Sequence, residues 1–222
     1  MLAHSPATTD RLMATPIAAR LPADSTTPPT LTTRLHVFLI ERRVAISVTL
    51  FSLLVAFDIV VLGERPHDVL APRDPLAIVG LVLVLAGLMT RSWAAGTLRK
   101  HKRLVVRGPY ALVRNPLYVG SFLMMAGFCL VLGDWHTGCL VIGPMIGLYW
   151  LAVRDEEQIL ARFFPEEWPA YAARVPRFVP RLAWPELEGW SLRKWLRNHE
   201  YKAWLGAGLA LVALRAWWML TG

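Results

Sequence analysis

Arg107-Gly108-Pro109-Tyr110-Ala111-Leu112-Val113-Arg114-Asn115-Pro116-Leu117-Tyr118-Val119-Gly120 places two prolines, two glycines and two tyrosines between long apolar runs. Such a backbone cannot be one uninterrupted helix, because each proline removes an amide donor and biases the residue before it away from helical angles. Gly108-Pro109 breaks the pattern, and Asn115-Pro116 starts a new helix with proline in its first turn, where a missing donor costs nothing. The stretch therefore predicts a rigid bend with exposed amides at the mouth of an apolar helix. Irregular backbone at membrane depth persists only where protein or a polar cavity satisfies it, so a bend here points to a binding site.

Composition agrees with a membrane setting. Of 222 residues, 55% are hydrophobic and 18% charged, and the mean hydropathy is +0.41. Ten Trp and a formal net charge of +8 fit aromatic belts and anionic headgroups better than nucleic acid, since the basic residues flank apolar spans. Cys129 and Cys139 lie in apolar runs without a ligand-spaced partner set and read as small core residues, so no metal site or disulfide is expected. No Gly-x-Gly-x-x-Gly follows a strand pattern, so any cofactor site must be built from helix ends and the bend.

Taken in order, residues 1–33 are rich in Thr, Pro and Ala and predict a flexible tail; a targeting peptide is the rival, spoiled by Asp10, Asp24 and the prolines. Residues 34–75 hold an interfacial segment and a first span from Val44 to Leu62, with Asp58 read as sitting at its outer edge. A second span follows Pro75 toward Leu98, with Arg91 expected to snorkel to the surface. Runs 117–133 and 138–153 predict a helical hairpin in which Gly120, Gly127, Gly143 and Gly147 allow close contact. A last span covers Ala203 to Thr221, preceded by a segment, Leu192 to His199, read as lying on the membrane as an anchor. The expected fold is thus an all-α polytopic bundle of about five transmembrane helices, with a core over 76–182 and an added C-terminal part over 183–222. Arg99, Lys100, Lys102, Arg103, Arg107 and Arg114 crowd the bend, whereas 63–75 carries only Arg65 and Arg73. The positive-inside rule therefore turns the bend toward the cytoplasm, in the inner membrane if the source is prokaryotic.

A second dense stretch begins where the fourth span ends: Arg154-Asp155-Glu156-Glu157-Gln158-Ile159-Leu160, then Phe163-Phe164-Pro165-Glu166-Glu167-Trp168-Pro169-Ala170-Tyr171 and Val175-Pro176-Arg177-Phe178-Val179-Pro180. Arg154 and Glu157 share a helix face by their spacing of three, so one face offers a cation and a carboxylate together. Solvated charges at a helix exit are the plainer reading of the same residues.

Gly-Pro-Tyr, then Arg-Asn-Pro-Leu-Tyr-x-Gly, an apolar hairpin, Glu-Glu-x-x-Leu, Tyr171 and Val-Pro-Arg-x-x-Pro occur here in an order and spacing that resemble the isoprenylcysteine carboxyl methyltransferase family and its phospholipid methyltransferase relatives, over about residues 76 to 180. The resemblance implies an S-adenosylmethionine pocket on the cytoplasmic side of a membrane bundle. It implies that Leu104 and Val105, with Lys102 and Arg103, line the pocket; that Tyr110, Asn115, Pro116, Leu117 and Tyr118 hold the cofactor; and that Glu156 or Glu157 holds its polar part. Arg154 would face the acceptor, with Glu157 beside it at the chemistry. Asn115 stands where the family's eukaryotic members usually have His and keeps a donor and an acceptor without titrating near neutral pH. Pro165 stands where Gly is common, and Trp168 where Tyr is.

Methyl transfer from a sulfonium is an in-line displacement that needs no metal and no covalent intermediate, so the absence of a nucleophile motif is no obstacle. The implied function is a membrane methyltransferase acting on a lipophilic or prenyl-like acceptor, by carboxyl O-methylation, among membrane lipids and without nucleic acid. The alternatives are N-methylation of a phospholipid amine, a sterol-reductase-like oxidoreductase binding a nicotinamide, and a non-catalytic membrane scaffold or small transporter.

Overall fold

The computed structural model describes residues 73–98, 104–133, 135–182 and 189–221, with isolated positions between 49 and 68. The tail 1–33, Asp58, Lys102 and Arg103 lie outside the described residues, and of the expected first span only Thr49, Leu53 and Phe57 are described, all helical. Every regular element among the described residues is a helix: α1 (Pro75–Thr97), a single 3-10 turn (Gly108–Ala111), α2 (Pro116–Leu132), α3 (Trp135–Phe163), α4 (Trp168–Arg174), α5 (Leu192–Arg197) and α6 (Tyr201–Thr221).

α1 starts where its sequence says it should. Asp74 is the N-cap, accepting from the amides of Leu76 at 3.0 Å and Ala77 at 3.2 Å, and Pro75 follows in the first turn. α1 and α6 are each long and apolar enough to cross a membrane. A buried core helix of a soluble protein would pass that test too, but here the apolar side chains face outward: Met89 is 66% exposed, Leu209 70% and Val212 67%. Apolar side chains exposed to that degree fit a face covered by a membrane or a partner. α2, at 17 residues, sits at the short end of what spans a bilayer.

α1 and α2 lie antiparallel and pack backbone to backbone. A methyl built on Gly87 would stand 2.5 Å from the Gly120 carbonyl oxygen, and one on Gly80 would stand 2.7 Å from that of Gly127. The seven-residue step in each helix, 80 to 87 and 120 to 127, returns to the same face after two turns, so the two contacts repeat in register. This alters the expected glycine pairing. Gly120 and Gly127 serve the α1 contact, whereas nothing among the described residues lies within 4 Å of a methyl on Gly143 or Gly147.

α2 ends at Gly133, whose φ of 76° is the left-handed cap conformation, and its amide donates to the Cys129 carbonyl at 3.1 Å. The chain returns at once in α3, whose 29 residues, with Pro144 inside, carry the fourth expected span and the charged exit in one helix. At ~1.5 Å per residue α3 is longer than a bilayer's hydrocarbon is thick, and its length delivers residues 154–163 to the end of the bundle where the bend lies.

The C-terminal segment is held by tryptophan. Trp195 Nε1 and Trp204 Nε1 both donate to Ser92 Oγ, at 3.2 and 2.7 Å, and Trp190 Nε1 donates to the Ser92 carbonyl at 3.1 Å. Gly96 makes room: a methyl there would stand 2.1 Å from Trp190 Nε1. Asn198 Nδ2 adds a bond to the Ala95 carbonyl at 2.7 Å. The helix expected over 192–199 stops at Arg197, and Trp195 turns onto the protein while Leu192 and Leu196 stay exposed. At the other end of the bundle Arg215 pairs with Asp68 at 2.5 Å and lies over the Trp218 ring.

Candidate functional site

The bend and the exit of α3 meet at one end of the bundle. Asn115, the N-cap of α2, makes no capping bond with its side chain. Instead its Nδ2 donates to Glu157 Oε1 at 3.2 Å and to the Arg177 carbonyl at 3.4 Å. Diverting a cap in this way sacrifices about 1 kcal/mol of helix stability, a loss reduced by Pro116, which leaves one donor fewer to satisfy.

Glu157 is the centre of the arrangement. It is 7% exposed, and its second oxygen takes Arg177 Nε at 2.9 Å and Nη2 at 2.8 Å, with Arg114 Nη1 at 3.6 Å. A carboxylate so buried is sustained by paired cations and satisfied lone pairs. Three chain segments are tied through it: the bend, α3 and the loop 175–181. Backbone bonds reinforce the tie, with the Arg114 amide on the Pro176 carbonyl at 2.8 Å and the Arg181 amide on the Leu112 carbonyl at 3.0 Å.

Next to this knot stand rings. Tyr118 and Phe122 each meet Tyr149 edge-on with centroids 5.3 Å apart, and Phe178 lies between Phe122 and Trp150 at 6.4 and 5.9 Å. Arg177 lies over Trp150 at 5.3 Å, and Arg114 over Trp168 at 5.9 Å. Glu156, one position before Glu157, points out and accepts from the Tyr118 hydroxyl at 3.1 Å. Leu104 packs on the cluster of Trp168, Tyr171 and Val175, and Val105 is half-buried beside it in the chain. Pro116 is fully buried and Leu117 half-buried.

Tyr110 is buried, and its hydroxyl meets no hydrogen-bond partner among the described residues; the same holds for Arg114 Nε. Burial first, then the nearby charges of Glu156 and Glu200, hold the Tyr110 phenol well above its ordinary value. The Tyr171 hydroxyl donates to the Tyr110 carbonyl at 2.9 Å. Burial also raises Tyr171, with Glu157 adding to the effect and Arg114 and Arg181 opposing it.

Of the residues singled out from sequence, Tyr110, Asn115, Pro116, Leu117, Tyr118, Glu156 and Glu157 thus gather in one place, Leu104 and Val105 border it, and Lys102 lies outside the described residues. Arg154 departs from the expected pairing. It is exposed and forms no ion pair among the described residues, so the cations beside Glu157 are Arg177 and Arg114. Arg177 was visible only as part of Val-Pro-Arg-x-x-Pro, and nothing in the sequence joined it to a residue 20 positions earlier. Arg91 does not snorkel: it pairs with the buried Glu200.

Fold and site together define an α-helical membrane protein with a polar, aromatic-walled site at one end of its bundle. Residues 76–167 match the phospholipid methyltransferase family. Among individual proteins, the chain is 32% identical over 143 residues to the nickel-cobalt-cadmium resistance protein of Alcaligenes xylosoxydans xylosoxydans, covering 64% of this chain and 63% of the relative. It is 34% identical over 110 residues to the cobalt-zinc-cadmium resistance protein of Cupriavidus metallidurans, covering 49% and 50%. With the protein-S-isoprenylcysteine O-methyltransferase of Schizosaccharomyces pombe it shares 31% identity over 98 residues, 44% of this chain and 42% of that one. The chain thus spans between about two fifths and just under two thirds of these relatives. No solved structure gives a significant match.

Proposed function

We propose that the chain is an integral membrane methyltransferase that uses S-adenosylmethionine and methylates the carboxylate of a lipophilic or prenyl-like acceptor. The observation that carries this reading is the meeting of Asn115 and Glu157, 42 residues apart, at one end of the bundle and inside the family-matched region. About five spans, with the basic bend on the cytoplasmic side, complete the picture.

The residues present fit the cofactor chemically. Glu156 is the acid open to a ligand, Tyr118 and its ring neighbours suit an aromatic base and a sulfonium, and the Tyr110 hydroxyl has hydrogen-bonding capacity to spare. Bound there, S-adenosylmethionine supplies an electrophilic methyl group. Glu156 then holds the polar part, with Leu104, Val105 and Lys102 along the edge, while Asn115, Pro116 and Leu117 fix the bend. Arg154, exposed at the helix exit, steers an anionic acceptor. Glu157 contributes through position, by locking Asn115 and Arg177 in place. When anion meets cation the charges cancel on the way to product, which a site of low dielectric favours.

One observation favours a second reading. The carboxylate of Glu156 is open to solvent, so it is placed to accept the proton that N-methylation of a phospholipid amine must release. Purified protein in detergent, titrated with S-adenosylmethionine and separately with reduced nicotinamide, then given labelled donor and a panel of prenylated thiols, fatty acids and phosphatidylethanolamine, separates these. Label in a base-labile ester supports the carboxyl reading, and label in the amine supports the second. Binding of the nicotinamide alone overturns both.

A further inference from the structure

Glu200 lies beyond the family-matched region, in the turn between α5 and α6, yet it is among the most buried charged side chains described, at 4% exposed. Arg91 forks onto it, Nε to Oε1 at 2.7 Å and Nη2 to Oε2 at 3.1 Å. The third nitrogen of the same guanidinium points the other way, to Ser121 Oγ at 2.6 Å and the Leu117 carbonyl at 3.5 Å. Leu117 and Ser121 belong to the start of α2, the same turn that carries Tyr118 toward Glu156. His199, immediately before Glu200, has a φ of 57°, a left-handed conformation uncommon outside glycine though one that His tolerates better than most residues.

An arginine with all three nitrogens engaged between a buried acid and a helix start has one geometry available to it. We propose that Glu200, acting through Arg91, is a positioning residue that sets the first turn of α2 against the bend, which makes the α5–α6 turn a part of the site as well as an anchor. The cofactor consequence rests on the proposed function; the positioning itself does not.

The test uses the full chain in detergent. Hydrogen exchange of the peptide covering 107–121 is compared in wild type, Glu200→Gln and Ser121→Ala, with Trp204→Phe as the control that loses an anchoring bond to Ser92 but leaves Arg91 alone. Exchange about tenfold faster in Glu200→Gln, and faster to a lesser degree in Ser121→Ala, with Trp204→Phe at the wild-type rate, is the expected result. Should Glu200→Gln not fold, Ser121→Ala carries the comparison. S-adenosylmethionine dissociation constants on the same proteins are expected to rise about tenfold in Glu200→Gln and to stay put in Trp204→Phe. Wild-type exchange in both Glu200→Gln and Ser121→Ala overturns the proposal, as does equal acceleration in Trp204→Phe, which reduces Glu200 to docking. If wild type binds no S-adenosylmethionine, the proposed function fails while the exchange rates still decide this inference.

Discussion

Replacing Glu157 by Gln keeps the shape of the side chain and removes its charge, at a position where both carboxylate oxygens are already engaged by donors. Oε1 faces the Asn115 amide nitrogen at 3.2 Å, and Oε2 faces the Arg177 fork at 2.8 and 2.9 Å. A glutamine must turn its NH2 toward one of them, so every rotamer sets donor against donor. Arg177, 36% exposed at its side chain, recovers water; Arg114, at 14%, does not. Losing one charge-assisted bond and leaving a mostly buried cation without its anion costs about 3 kcal/mol. Chemical unfolding in a fixed detergent reads this as a lower midpoint with an unchanged slope. In the double variant with Arg177→Gln the loss should be less than additive by about 1–2 kcal/mol, because the bonds between Glu157 and Arg177 that each single change breaks are lost only once. A Glu157→Gln protein within about 0.5 kcal/mol of wild type, or strict additivity in the cycle, refutes the view that this carboxylate ties the bend to α3.

The two buried phenols make stability fall in alkali. Both are raised above their ordinary value of 10.0, so the fold keeps their full contribution below about pH 10 and loses it as pH climbs through the higher folded values; unfolding midpoints between about pH 8 and 11.5 show the decline. Tyr110→Phe removes a buried hydroxyl with no partner among the described residues and should leave stability unchanged or raised by up to about 1 kcal/mol and flatten that decline, while weakening S-adenosylmethionine binding. Gly87→Ala drives a methyl to 2.5 Å from the Gly120 carbonyl oxygen, and the overpacking should cost about 1–3 kcal/mol by thermal unfolding, whereas Gly147→Ala, with nothing near it among the described residues, should be neutral or slightly stabilising. Glu156→Gln, at an exposed position, should leave the unfolding midpoint in place and lower methyl transfer at least tenfold.

What was legible in the sequence was local. Pro75 opens α1, and Gly108-Pro109 with Asn115-Pro116 brackets the bend, because prolines act on the backbone within a turn or so. Pairings were not legible. Gly120 and Gly127 announced a close contact, but a glycine pattern on one helix does not say which neighbour approaches, and α1 carries the matching step at Gly80 and Gly87. Arg91 read as a cation in search of the surface, since its acid stands 109 residues away. The same distance hid the docking of the C-terminal segment: a run of Trp with Arg and Lys has the composition of a membrane-lying helix, and only the indole nitrogens' convergence on Ser92 shows that it faces the protein.

Glu156 and Glu157 show how a helix end does the work of a larger domain. Consecutive residues on a helix diverge by about 100°, so one exit turn presents one acid to the interior and the next to solvent. The inner acid meets two guanidiniums and an amide and becomes scaffold; the outer one keeps, among the described residues, only a tyrosine hydroxyl and stays open. If the proposed function holds, stability and ligand affinity are thereby carried by neighbours that share a backbone yet not a partner. A methyltransferase of the kind proposed would then need no nucleotide-binding sheet, since the bend would supply the irregular backbone, the rings the flat surface, and a single carboxylate pair would divide the two electrostatic tasks.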